Sequence, residues 1–239
     1  MDDLDFTDSE LERYSRHILL PEVGAIGQAK LRAASVLIVG AGGLGAPMIM
    51  YLAAAGIGRI GIIDDDAVDL SNLQRQVAHT TDRIGVNKAK SAAATAKAIN
   101  PEIKIDILPF RLASDTIDDI FSQYDVIADG TDNFETRYLV NDAAVRLGKT
   151  LVTAALLRFD GQITTVKPGG PCYRCLFPNP PPPGAVPSCS EAGVLGSVAG
   201  ILGTMQATEI IKEIMDVGDS LSGRLMLFDG LSMSLRAMK

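Results

Sequence analysis

Residues 36–45, with the sequence VLIVGAGGLG, decide the fold of this chain. Four apolar residues predict a buried strand, and Gly40, Gly42 and Gly45 then fit the pattern G-x-G-x-x-G at the start of a helix. Glycines allow a tight turn, and the free N–H groups of the helix N-terminus attract a phosphate. The stretch predicts a nucleotide-binding α/β fold, with a glycine turn that binds no ligand as the alternative.

Strands and helices alternate around this stretch. The predicted strands are 36–39, 60–64, 103–108, 126–128 and 151–153. The predicted helices are 7–19, 27–33, 44–55, 88–99, 114–121 and 135–147. Such alternation predicts a Rossmann-like, mostly parallel sheet with helices on both faces.

The pattern changes near residue 155. Alternating apolar and polar residues predict a half-solvated strand at 161–167. Residues 178–187 hold half of the chain's twelve prolines, which predicts an extended crossing segment. A long helix at 195–215 and a pair of antiparallel strands at 224–229 and 231–236 complete the prediction. We expect a single domain, 1–239, with a nucleotide-binding half at about 1–154 and a second half at about 155–239.

Bulk properties exclude several classes of protein. The net charge of −7 argues against a general nucleic-acid binder, which needs a basic patch. No apolar run is long enough to cross a bilayer, and the acidic N-terminus lacks a signal-peptide pattern, so we expect a cytoplasmic protein that binds no membrane. Three cysteines, all between Cys172 and Cys189, do not form a disulfide framework.

Charged residues follow the predicted strands. Asp64 lies about 20 residues after the glycine motif, where such folds bind ribose. Arg75 and Lys88 follow the second strand, and Asp132 follows the strand at 126–128. Breaking the α–β bond of ATP requires cations or a metal at the leaving pyrophosphate, whereas NAD keeps its pyrophosphate intact. The set favours chemistry on a nucleotide over an NAD-dependent oxidoreductase or a non-catalytic nucleotide-binding scaffold.

The cysteines leave alternatives open. Cys172-x-x-Cys175 has the spacing of half a zinc site, although two further ligands are needed. His17 and His79 are distant in sequence and predicted to be structural. Either the second ligand pair lies beyond the last residue of the sequence, or the two cysteines are redox-active or inert. Cys189, just before the long helix, is a candidate nucleophile or an ordinary loop residue.

Together these motifs resemble those of the MoeB/ThiF/HesA family of adenylyltransferases, the bacterial relatives of ubiquitin-activating E1 enzymes. They occur in family order. The stretches that carry the resemblance are 13–18 (RYSRHI), 40–45 (GAGGLG), 64–66 (DDD), 71–76 (SNLQRQ), 130–133 (GTDN), 172–175 (CYRC) and 189–193 (CSEAG).

The resemblance implies that the chain uses ATP and Mg²⁺ to adenylate the C-terminal glycine of a small ubiquitin-like sulfur-carrier protein ending in Gly-Gly, releasing pyrophosphate. The implied pathway is molybdenum cofactor biosynthesis, with the thiamine-pathway carrier as the alternative. A homodimer and a structural Zn²⁺ at Cys172 and Cys175 are also implied, and the proline-rich segment is expected to cover the carrier's tail.

The resemblance also implies roles for individual residues. Gly43 would lie against the phosphates, Asp64 would bind ribose, and Asp132 would hold Mg²⁺. The implied catalytic residues are Arg75, Lys88, Asp132 and Cys189. The implied nucleotide-binding residues are Gly40, Gly42, Gly43, Gly45, Asp64, Asp66, Ser71, Asn72, Leu73, Gln74, Arg75, Lys88, Asp132, Asn133 and, from the partner subunit in a homodimer, Arg16 of this sequence.

Overall fold

A computed structural model describes residues 4–182, 184, 185, 187 and 189–239. The strands are β1 (Ser35–Val39), β2 (Arg59–Ile63), β3 (Lys104–Leu108), β4 (Val126–Asp129), β5 (Thr150–Leu157), β6 (Asp160–Val166), β7 (Leu225–Asp229) and β8 (Ser234–Met238). They form one sheet in the order β3-β2-β1-β4-β5-β6-β7-β8. The first five strands pair in parallel, and β5 to β8 pair antiparallel. The expected Rossmann-like sheet with antiparallel C-terminal strands is confirmed.

Helices cover both faces of this sheet. They are α1 (Asp8–Ile18), α2 (Gly24–Ala33), α3 (Gly45–Ala55), α4 (Lys88–Ile99), α5 (Ile117–Phe121), α6 (Phe134–Arg146), α7 (Tyr173–Leu176), α8 (Cys189–Ala192) and α9 (Gly196–Met215). One apolar core lies between the sheet and helices α2, α3, α4 and α9, and a second lies under α5 and α6. Across the described ranges, no helix has the length and apolar character needed to cross a membrane.

Side-chain caps explain where three of these helices begin. Thr7 and Glu10 form the reciprocal capping box that the sequence predicts for α1. Asn87 accepts a hydrogen bond from the backbone N–H of Lys90 at the start of α4 (3.2 Å). Asn133 accepts one from the N–H of Thr136 at the start of α6 (2.9 Å). Each cap satisfies a backbone donor that the helix leaves without a partner, and so fixes the adjoining loop.

The second half of the sheet differs from the prediction in two ways. Strand β5, expected at 151–153, continues to Leu157 because residues 151–157 pair antiparallel with β6. The expectation that β6 is half-solvated is wrong, since most of it is buried. Its two buried threonines are satisfied internally, as Thr165 donates to Glu209 of α9 (3.0 Å) and Thr164 donates to the carbonyl of Arg224 (2.9 Å).

The strand order creates a crevice at one edge of the sheet. From β1 the chain runs outward through β2 and β3, then returns to β4 on the other side of β1. Loops after β1 and β4 therefore leave in different directions, which is where open α/β sheets bind ligands. The N–H of Gly40 donates to Ile63 O (2.9 Å), and the N–H of Gly130 donates to Val39 O (2.8 Å). These two bonds hold together the starts of the loops that follow β1, β2 and β4.

Candidate active site

A cavity of about 760 Å³ lies at the carboxyl ends of β1, β2 and β4. This volume is within the range of small-molecule sites. One end is lined by the glycine turn, the acidic cluster and the loop after β4, and the other end is mainly apolar and aromatic. The residues that line the cavity include Gly40, Gly42, Gly43, Asp64, Asp66, Arg75, Gln76, Lys88, Phe110, Asp132, Asn133, Phe134, Arg137, Tyr138, Leu157, Tyr173, Phe177, Pro181 and Pro187.

The glycine turn depends on two glycines for different reasons. Gly40 has a φ of +93°, a conformation that residues with a side chain rarely adopt. At Gly45 a Cβ would lie only 1.9 Å from the carbonyl oxygen of Gly40. Gly45 therefore allows α3 to begin directly against the turn and does not itself line the cavity, whereas Gly40, Gly42 and Gly43 do. The N-terminus of α3, which carries a partial positive charge, directly follows this turn.

Asp64 ties the end of β2 to the glycine turn. Its Oδ2 accepts a hydrogen bond from the N–H of Ala41 (2.8 Å), and its Oδ1 accepts one from the N–H of Asp66 (2.9 Å). Burial raises the pKa of Asp64, an effect that these two backbone hydrogen bonds and the charge of Lys88 partly oppose. The carboxylate has further lone pairs and faces the cavity, so it can accept hydrogen bonds from a ligand hydroxyl.

Two cations line the polar end of the cavity. Lys88 is only 7% exposed, and its Nζ lies 2.8 Å from Oδ2 of Asp66. Arg75 donates from Nη1 to the carbonyl of Ser71 (3.0 Å) and, within the part of the chain that the structure describes, forms no salt bridge. A half-buried guanidinium without a carboxylate partner is suited to an anionic ligand, because its planar fork matches phosphate geometry.

Asp132 is exposed at the edge of the cavity, on the loop between β4 and α6. A single carboxylate suits Mg²⁺, which keeps several waters and completes its shell with substrate phosphates. Among the described residues, the only group of three or more potential metal ligands is Asp64, Asp65 and Asp66. Asp64 and Asp66 already accept hydrogen bonds from Ala41 and Lys88, so Asp132 is the better candidate. The residues present therefore fit a phosphate-bound magnesium ion.

The two cysteines of the Cys-x-x-Cys motif lie beside the cavity, at the start of α7. Their sulfur atoms are 3.7 Å apart, close to the roughly 3.8 Å expected for two thiolates on one tetrahedral zinc with Zn–S bonds of about 2.3 Å. Burial raises the pKa of Cys172, but hydrogen bonds with Cys175, Arg174 and Asn141 together outweigh that effect, and the net shift is downward. The geometry fits half a zinc site, and the described residues supply no second half.

Several predicted site residues lie outside the cavity. Ser71, Asn72, Leu73 and Gln74 belong to the loop that carries Arg75, and the side chain of Ser71 donates to Asp69 within that loop (2.6 Å). Arg16 is exposed on α1, away from the cavity of its own chain. The backbone of Cys189 begins α8, but its side chain lies outside the described residues. For these residues a role in binding stays a prediction.

The remaining named residues are structural or were missed by the sequence analysis. His79 is buried and bonds Ser91 Oγ and Ala41 O, at 2.9 Å each, which supports the glycine turn. Gln76 lines the cavity, although the sequence analysis did not name it as a site residue. The aromatic lining was also missed, because its members are dispersed through the chain: Phe110, Phe134, Tyr138, Tyr173 and Phe177.

Comparison with known proteins agrees with the fold and the motifs. The sequence profile of the ThiF family matches residues 14–239. The chain is 49% identical to a sulfur carrier protein adenylyltransferase of Thermus thermophilus, over 98% of its own length and 88% of the relative's. It is 47% identical to the SAMP-activating enzyme E1 of Haloferax volcanii, over 96% and 85% of the two chains.

A longer relative and a solved structure complete the comparison. The adenylyltransferase and sulfurtransferase MOCS3 of Mus musculus is 52% identical, over 96% of this chain and 50% of that protein. The crystal structure of E. coli MccB with AMPCPP and MccA superposes with a TM-score of 0.83 over 100% of this chain and 73% of that one, at 22% identity. At that identity the likeness shows the fold alone.

Relatives of about half identical sequence are named adenylyltransferases, which confirms the expectation of a nucleotidyltransferase. Because the family profile covers nearly all of the sequence, the assignment does not depend on any one motif. The chain belongs to the ThiF family.

Proposed function

We propose that this chain uses ATP to adenylate the C-terminal glycine carboxylate of a small ubiquitin-like sulfur-carrier protein ending in Gly-Gly, releasing pyrophosphate. The observation that carries the proposal is the meeting of a glycine turn, two cations and a carboxylate at one end of a single cavity. The names of the relatives from Thermus thermophilus and Haloferax volcanii support the class of acceptor.

The reaction requires positioning and charge neutralisation more than proton transfer. A C-terminal carboxylate is ionised at pH 7, so no general base is needed. One carboxylate oxygen attacks the α-phosphorus of ATP, the bond from that phosphorus to the β-phosphate bridging oxygen breaks, and pyrophosphate leaves with the electron pair. Arg75 and Lys88 are placed to stabilise the charge that develops on the leaving group.

Lys88 has to change partners for this role. In the structure its ammonium group is paired with Asp66, whose side chain is 67% exposed. Because the Asp66 carboxylate is largely in contact with water, it stays solvated when the pair separates, so a polyphosphate can replace it as the partner of Lys88. Mg²⁺ bound with ATP would neutralise phosphate oxygens, and Asp132 would hold it there with Asn133 beside it.

The apolar end of the cavity would receive the carrier's tail. Its walls include Leu157 at the end of β5, the aromatic side chains of Tyr173 and Phe177, and the described prolines Pro181 and Pro187. A Gly-Gly terminus suits such a passage, because it presents no side chains between these walls. We propose that the proline-rich segment covers the tail, and that Cys189, which follows this segment at the start of α8, is a candidate for chemistry on the carrier.

For the biological setting, we propose molybdenum cofactor biosynthesis, with the same reaction on the thiamine-pathway carrier as the alternative. We further propose a cytoplasmic homodimer in which Arg16 of one subunit approaches the nucleotide of the other. The sulfur geometry of Cys172 and Cys175 supports a structural zinc ion completed by ligands outside the described residues.

The experiment that tests this function is ATP–pyrophosphate exchange with the molybdopterin-pathway and thiamine-pathway carriers side by side. We expect exchange with one carrier and none when its terminal glycine is removed. Undiminished exchange with the truncated carrier would contradict the proposal. So would the absence of exchange with either carrier when ATP binds. The carrier that supports exchange identifies the pathway.

A further inference from the structure

Asp129, at the end of β4, is a carboxylate with no exposure to solvent. Its Oδ1 accepts hydrogen bonds from the N–H (3.0 Å) and the hydroxyl (2.6 Å) of Thr131. Its Oδ2 accepts hydrogen bonds from the hydroxyl of Thr153 (2.8 Å) and from Nε of Arg137 (3.3 Å). All four lone-pair positions of the carboxylate are therefore used within the protein.

Arg137 completes this network from the first turns of α6. It is 5% exposed, and its Nη2 donates to the carbonyl of Thr131 (2.7 Å) and, more weakly, to the carbonyl of Ala154 (3.4 Å). Its guanidinium carbon lies 5.8 Å from the ring centroid of Phe134 and 5.9 Å from that of Tyr173. One side chain thus joins α6, the loop after β4, strand β5 and Tyr173, which follows Cys172.

Stability alone does not explain a buried pair at this position. Taking two charges out of water costs several kcal/mol per ion, and apolar residues of similar volume often stabilise a protein equally well. What the pair achieves is geometric. Asp129 and Arg137 bracket Asp132 in sequence, and both bond Thr131, the residue directly before it. The backbone on the N-terminal side of Asp132 is therefore fixed from two directions.

Asp132 itself is exposed and would otherwise depend on a short loop for its position. The cap formed by Asn133 fixes the other side of Asp132, because it joins the loop to α6. A ligand held between two fixed neighbours needs little reordering when a metal–phosphate complex arrives. Residues that orient a metal ligand in this way commonly change metal affinity by about 10–100-fold when they are replaced.

We propose that Asp129 and Arg137 are positioning residues that hold Asp132 where it binds the divalent cation of the nucleotide complex. The inference rests on the proposed role of Asp132. Neither residue needs to touch ATP or the carrier, so the effect of replacing them should appear in cation affinity and not in the affinity for metal-free nucleotide.

Electron paramagnetic resonance of Mn²⁺ tests this proposal without any carrier. Mn²⁺ is titrated into the protein in the presence of a non-hydrolysable ATP analogue, and free Mn²⁺ is counted. The main variant is Asp129→Asn with Arg137→Met, which removes both charges together and leaves no uncompensated buried ion. We expect Mn²⁺ to bind about 10–100-fold more weakly than in the wild type, while the analogue binds equally well in the absence of metal.

A matched control lies on the same helix. Arg146, at the far end of α6, forms an exposed ion pair with Asp118 of α5, so Asp118→Asn with Arg146→Met should leave Mn²⁺ affinity unchanged. If the Asp129/Arg137 double variant does not fold, the same Mn²⁺ titration is made with Arg137→Lys. Lysine keeps the charge but lacks the planar fork that bonds Asp129 and Thr131 at the same time. It should bind Mn²⁺ several-fold more weakly.

Wild-type Mn²⁺ affinity in the folded double variant, or in Arg137→Lys, would overturn the positioning role. A parallel loss of metal-free nucleotide affinity would also overturn it, since that indicates general damage to the cavity. The proposed function is judged separately by carrier-dependent exchange. If the wild type shows no exchange while the double variant binds Mn²⁺ more weakly than the wild type, the proposed reaction is refuted and the positioning role is retained.

Discussion

Gly45→Ala is the substitution whose effect follows most directly from the structure. The new Cβ would lie 1.9 Å from the carbonyl oxygen of Gly40, whereas real contacts of this kind are at least 3.0 Å. The glycine turn and the start of α3 must therefore separate by about 1 Å. Overpacking of this kind costs about 1–3 kcal/mol, and a misplacement of about 1 Å near reacting groups costs about 100-fold in rate.

For a chain of this length each kcal/mol corresponds to about 2–4 °C in Tm, so we expect Gly45→Ala to melt roughly 2–12 °C below the wild type. Calorimetry should also show that an ATP analogue binds more weakly. Gly200→Ala is the matched control, because a Cβ there meets no atom of the described residues within 4 Å outside its own helix. Because alanine stabilises a helix interior by about 1 kcal/mol relative to glycine, Gly200→Ala should not lower Tm. A Gly45→Ala protein with wild-type Tm and nucleotide affinity would refute the reasoning.

Three further predictions concern single side chains. Arg75→Ala should lower ATP–pyrophosphate exchange by about 10²–10³-fold at unchanged Tm; wild-type exchange would remove Arg75 from the proposed mechanism. Asp132→Ala should abolish the Mg²⁺ dependence of exchange, and retained dependence would count against its role as the ligand. Burial lowers the pKa of His79 below its ordinary 6.5, so the unfolded chain binds the proton first and stability should fall as pH drops below 6.5. In His79→Gln, Tm should fall less between pH 8 and pH 5 than it does in the wild type. An equal fall of Tm in both proteins would contradict the lowered pKa of His79.

The three strands β1, β2 and β4 could be predicted within one residue at each end. These three strands are buried on both faces, so each is a short apolar run, and the runs are separated by glycine, proline or charged residues. The C-terminal strands were harder to predict. Strand β8 was expected at 231–236 but lies at Ser234–Met238, because Leu231 and Met233 are apolar residues that the fold leaves 77% and 71% exposed.

The polar end of the site was predictable for a different reason. Residues directly after parallel strands meet at one edge of the sheet, so Asp64 and Asp132 could be brought together from sequence position alone. Contacts between distant segments could not be found in this way. Thr153 of β5 donates to Asp129 from 24 residues further along the chain, and Tyr173 of α7 lies beside Arg137. An acidic residue ending a buried run, as Asp129 does, was the one available indication of this network.

The central claim is that a carboxylate of another protein attacks the α-phosphorus of ATP in this cavity. Its most direct test is to label the carrier's C-terminal carboxylate with oxygen-18, incubate it with the enzyme and ATP, and cleave the product with hydroxylamine. Hydroxylamine attacks the carbonyl carbon, so AMP leaves with the oxygen that joined the two groups. We predict AMP that carries the label. Unlabelled AMP would mean that water attacked the nucleotide, and the proposed adenylation would be wrong.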